Sequence, residues 1–112
     1  MNMEEMKARV ERLEFHQRLL LGMIHHTEKA FDLLVIKNNL SESEVKDFLD
    51  LCEALNKEFE KQKADHFVYY APLFQEFTTK LNKKLSPKET ISACLKQNMY
   101  VELMKKLLRN ME

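Results

Sequence analysis

The chain has one glycine, Gly22, and two prolines, Pro72 and Pro87, in 112 residues. That is far too few for the tight turns of a β-sandwich or barrel. A single glycine also excludes the Gly-rich loops that cradle phosphates in P-loop and dinucleotide-binding proteins. Tryptophan is absent, and two cysteines, Cys52 and Cys94, cannot form the disulfide lattice of a secreted miniprotein. No charged-then-apolar export leader is apparent, so a cytoplasmic location is expected. The densest apolar run, Leu19 to Ile24, ends at His25, whereas a membrane span needs about 20 apolar residues. No membrane association is expected.

No charge sign dominates either: 18 basic residues cancel 18 acidic ones. The whole chain therefore lacks the positive field of a protein that grips phosphate backbones across its surface. Locally the balance shifts. Residues 79 to 112 hold eight Lys or Arg against three acids, and the rest of the chain carries the opposite excess. Such imbalances are usually solvated faces.

What remains is rich in Leu, Lys, Glu and Met, all good helix formers, and the composition reads all-α. The expected architecture is a single helical domain over 1–112, a four- or five-helix bundle with helices at about 2–37, 42–63, 72–83, 87–97 and 99–110. The first helix carries the clearest pattern. Met3, Met6, Val10, Leu13, Gln17, Leu20 and Ile24 recur at alternating steps of three and four, and the pattern continues through Thr27, Phe31 and Leu34. Over the first half this is a narrow stripe, accompanied only by Ala8 and Phe15, as in a coiled-coil seam. With Met3 at heptad position a, Arg9 falls at g and Glu14 at the next e, the pair that meets between parallel chains. Gln17 and Thr27 interrupt the seam with polar groups of the kind that fix register. From Leu19 onward the flanking positions turn apolar as well, so the second half is expected to be the central element on which the other helices pack.

Helix 2 opens on a complete start signal: Ser41 as N-cap, Glu44 at N3, and Leu40 with Val45 as a hydrophobic staple. Its apolar face is Val45, Phe48, Leu49, Cys52, Leu55 and Phe59. Phe67 to Tyr70 has strand propensity but no partner strand, and reads as an aromatic connector. Pro72 suits the first turn of the third helix, and Ser86, Pro87 and Glu89 repeat the start signal for the fourth. Asn98 is the expected break before the last helix.

Chemistry is scarce. His25 and His26 are neighbours, pointing about 100° apart on a helix, and cannot both face one ion easily. No Glu-x-x-His pair of the di-iron type is present, although His25 and Glu28 have that spacing in reverse. His26 reads as a half-buried histidine bonded to a carbonyl or carboxylate. Cys52 and Cys94 fall mid-helix on apolar faces, as core residues rather than nucleophiles. No catalytic residue, no cofactor and no metal site is expected. The basic C-terminal region allows an alternative, a DNA-binding regulator in which residues 86–110 imitate a helix-turn-helix presenting Tyr100, Lys105, Lys106 and Arg109. That helix spends many positions on Leu and Met, unlike a recognition helix. The favoured partner is the chain itself, as a dimer before a trimer, with Met3, Met6, Val10, Leu13, Gln17, Leu20 and Ile24 as the interface; an unidentified protein partner is the further option.

The stretch Arg9-Val10-Glu11-Arg12-Leu13-Glu14-Phe15-His16-Gln17, with Leu19-Leu20-Leu21 behind it, resembles the start of the YhaI-like family of small uncharacterised proteins of Bacillus-type bacteria. Length, helix order and the aromatic connector near Tyr69 and Tyr70 agree over essentially the whole chain. The resemblance implies an all-helical, multimeric bacterial protein of the cytosol with no established activity. It supplies no functional residues.

Overall fold

A computed structural model describes residues 1–24, 27–66 and 70–111, with the backbone alone for Thr27 and Tyr70. The fold is all-α. Six helices occupy the described residues and no strand is present among them: α1 Met3–Met23, α2 Ala30–Lys37, α3 Glu42–Ala64, α4 Tyr70–Lys80, α5 Pro87–Lys96 and α6 Val101–Arg109, with a short 3-10 turn Thr27–Lys29 ahead of α2. Phe67, Val68 and Tyr69 of the expected connector, and His25 and His26, lie outside the described residues.

The helix expected over 2–37 is instead two helices. Ile24 leaves the helical region at φ −85° and ψ 117°, and its N–H reaches back only to Leu21 O at 3.3 Å. Gly22 in the last turn weakens the helix there by about 1 kcal/mol relative to alanine. What α2 gains on the far side decides the matter. Phe31 is buried and stacks on Phe48 of α3 at 5.1 Å between ring centroids. The Gln97 side chain caps α2, accepting from Asp32 N and donating to Asp32 Oδ1, both at 3.0 Å. Among the described residues, only those from Ala30 onward join the core. Of the half expected to be central, from Leu19 onward, the first part does not: Leu19, Leu20 and Met23 are all exposed.

The core gathers Phe48, Cys52, Leu55 and Phe59 of α3 against Leu73 and Phe77 of α4, Ile91 and Cys94 of α5, and Leu103, Met104 and Leu107 of α6. The expected capping box of α3 is present: Ser41 Oγ accepts from Glu44 N at 3.1 Å while Ser41 N donates to Glu44 Oε1 at 3.0 Å. Glu44 also reaches across the fold, where Asn82 Nδ2 and Lys84 Nζ each donate to its carboxylate at 2.8 Å.

α4 runs Tyr70–Lys80 rather than 72–83, so Pro72 falls in its first turn. It stops early because Asn82 turns its amide oxygen onto Lys84 N at 2.8 Å, offering the backbone a partner outside the helix. Leu81 and Leu85 are both buried beneath that turn. Ser86 caps α5 as expected, accepting from Glu89 N at 3.3 Å with Pro87 at the first helical position. α5 and α6 are separate helices, parted at Asn98 and Tyr100, both with left-handed backbone (φ 58° and 49°).

Candidate interaction surface

α1 begins with Asn2, whose Oδ1 accepts from Glu5 N at 2.8 Å, and Glu4 and Glu5 complement the positive end of the helix. Its 21 residues then run about 30 Å without burying a single one of them. The molecule is accordingly elongated, with principal extents of 60 × 28 × 21 Å.

Helical spacing brings Met3, Met6, Val10, Leu13, Gln17 and Leu20 onto one face of α1, and Ile24 stands half-buried just past its end. The apolar members of that face are wet. Met3 is 80% exposed, Leu13 58% and Leu20 61%. Thr27 of the extended pattern contributes only backbone here, and Phe31 and Leu34 belong to the core rather than to the seam.

A second apolar group lies round the back. Phe15 is 50% and Leu19 48% exposed, although the Arg18 guanidinium sits 5.9 Å from the Phe15 ring centre and His16 tilts against it at 6.0 Å. Leu19, expected in the core, is exposed, and Phe15, which stands outside the seam in the sequence pattern, lies near it on the helix. The signal was present in the positions Ala8, Phe15, Leu19 and Gly22, whose steps of seven, four and three keep them on one face.

The body offers a different surface where α3 meets α6. Phe59 and Leu108 line a groove rimmed by Lys63, Lys105, Lys106, Arg109 and Glu102. Lys63 bridges Glu102 at 2.8 Å and Glu60 at 3.8 Å, and lies 5.4 Å from the Phe59 ring centre. The hydrogen bond between them raises the Lys63 pKa and lowers that of Glu102. Tyr100, expected on the exposed face of the last helix, is instead its N-cap and donates its hydroxyl to Glu53 on α3 at 3.1 Å. Burial, then that carboxylate, push the phenol up to about 12.

Among the described residues no cluster of three or more His, Cys, Asp or Glu is placed to hold a metal ion, and no helix is long and apolar enough to cross a membrane. Both cysteines are free and fully buried, and desolvation raises both thiols, Cys94 to about 12.

These features define an all-helical protein whose first helix stands off its core with apolar side chains in solvent. Residues 3–112 match the family described as Protein of unknown function (DUF1878), and the chain belongs to that family.

Proposed function

We propose that the protein is a homo-oligomeric interaction or regulatory module without catalytic activity, in which α1 of one copy pairs with α1 of a second through Met3, Met6, Val10, Leu13, Gln17, Leu20 and Ile24. One observation carries this reading: a 21-residue helix with a heptad seam buries none of its residues against its own chain. A contiguous apolar stripe left in water marks an interaction site.

The seam also suggests its occupant. A copy of α1 presents the same three-four spacing, so its knobs fit the holes of the first. Parallel pairing sets Gln17 against its own counterpart, where two amides satisfy each other, and brings Arg9 to Glu14 of the neighbour. Antiparallel pairing with Val10 opposite Leu13 would instead leave Gln17 against Met6. Val10 at a with Leu13 and Leu20 at d favour two strands.

Burying one such side chain fully contributes about 1.5–3 kcal/mol, and association costs about 4–15 kcal/mol. Three heptads therefore give a pairing that depends on concentration. The resemblance to the YhaI-like family, which implies a multimeric protein, agrees with this reading.

A DNA-reading role for residues 86–110 has less support. α6 spends Leu103, Met104 and Leu107 on the core, Tyr100 is engaged by Glu53, and Glu102 places a negative charge among the basic side chains.

Sedimentation velocity across a concentration series tests the proposal. The wild type should run as an oligomer, and Leu13→Asp with Leu20→Asp should reduce it to single folded chains. A wild type that sediments as one folded copy at every concentration would refute it.

A further inference from the structure

Sulfur is divided unevenly over the molecule. Of seven methionines, Met1, Met3, Met6 and Met23 lie on α1 or beside it, and all four are exposed. Those of the body are not: Met104 is fully buried, and Met99 and Met111 pack against the core. Cys52 and Cys94 are fully buried with raised thiols, which makes them poor targets for an oxidant. The accessible sulfur of this protein is therefore on its first helix.

Two of those thioethers also stand where the seam needs a knob. With Met3 at a, Met6 falls at d, so methionine alone fills the first heptad, whereas Val10, Leu13, Leu20 and Ile24 present hydrocarbon further along. Met1 and Met23 lie outside the a and d positions.

We propose that Met3 and Met6 form a modification site for peroxides, at which conversion of the thioethers to sulfoxides separates the two chains of the seam. The inference rests on the seam pairing and adds its regulation.

The step needs only an exposed sulfur and the oxidant. A thioether lone pair attacks one oxygen of hydrogen peroxide; the S–O bond forms as the O–O bond breaks, and sulfur gives up two electrons. The transferred oxygen passes its proton to the departing hydroxide, which leaves as water. A soft apolar side chain has then become a polar, chiral one. In the single chain, water bonds the new oxygen. Inside a parallel seam Met3 and Met6 face their own counterparts, which donate no hydrogen bond, and burying a polar group without a partner opposes association.

Pairing and oxidation oppose each other by linkage. The seam covers the sulfurs, and oxidised sulfurs disfavour the seam, so chains dissociated at low concentration are modified first. Methionine sulfoxides are reducible enzymatically to thioethers, which would restore the seam.

The test treats the full chain with dilute hydrogen peroxide, locates the added oxygen by peptide mass mapping and measures pairing by sedimentation velocity over a concentration series. Met3 and Met6 should be oxidised before Met104, and the apparent dissociation constant should rise about tenfold or more, as expected for burying unpartnered polar groups. Because α1 buries no residue, the urea midpoint should stay where it was, which separates lost pairing from lost folding. Met3→Leu with Met6→Leu, a swap of similar volume, should pair like the wild type and keep its pairing through the same treatment, although Met1 and Met23 are still oxidised.

Treated wild type that pairs as tightly as untreated protein would overturn the inference and leave the seam standing, as would Met3 and Met6 that resist peroxide while Met104 reacts. A Leu variant that dissociates on treatment would do the same, because the responsible sulfur would then lie elsewhere. An untreated wild type that never pairs overturns the seam itself and this inference with it.

Discussion

Asp32 and Gln97 stand 65 residues apart in sequence and hold each other through two 3.0 Å hydrogen bonds, amide oxygen to backbone N–H and amide nitrogen to carboxylate. The first turn of α2 has no side-chain cap from its own N-cap residue, Lys29. Gln97, at the C-terminal cap of α5, supplies the acceptor from across the fold. The start of α2 is therefore a tertiary event.

Gln97→Ala should cost about 1 kcal/mol of stability, the usual loss when a helix cap is removed. Urea unfolding of the two proteins gives the difference. Native-state hydrogen exchange should show the Asp32 amide opening earlier in the variant, while amides at the centre of α3 follow the global transition. An unchanged Asp32 amide would mean that the 3.0 Å contact contributes no protection.

Glu44 should make the fold sensitive to acid. The Lys84 ammonium, then the Ser41 backbone N–H and the Asn82 amide, hold its carboxyl at about 2 against an ordinary 4.5. A depressed folded pKa adds stability that is fully present above the unfolded value and is lost as pH falls from about 4.5 toward 2. The difference in urea midpoint between wild type and Glu44→Gln should thus be widest near neutral pH and should shrink across that window. A difference that stays constant down to pH 2 would show that the carboxylate charge is not what binds Lys84.

Cys52 and Cys94 should resist an aromatic disulfide reagent at pH 8 in the native protein. Both are fully buried and their thiols are raised by desolvation, so little thiolate forms and none of it is reachable. Labelling should appear only with global unfolding, at rates that track the urea transition. Rapid labelling of folded protein would place one of these side chains at the surface.

Local signals made much of this fold readable. Ser41 and Glu44, and Ser86 with Pro87, announce α3 and α5 because a capping box and a proline at N1 act within one turn of chain. The break near Asn98 was readable too, since asparagine tolerates the left-handed backbone adopted there. The errors fell where distant residues decide. Pattern alone runs the first helix to residue 37, because nothing in Leu19 to Ile36 reveals that only its second part has a core to join. The back face of α1 was obscured for the same reason: apolar residues at Phe15 and Leu19 look the same in sequence whether another helix of the chain covers them or not.

Composition and periodicity by themselves determined an all-helical chain, the apolar spacing on its first helix and the starts of α3 and α5, because helix propensity, capping and face patterning are written within a few residues. Tertiary structure alone decided that α1 ends at Met23, that Phe31 leaves the seam to stack on Phe48, and that Tyr100 is held by Glu53. Which apolar face finds shelter depends on the total surface competing for one small core, and that competition is settled only when all the helices are in place.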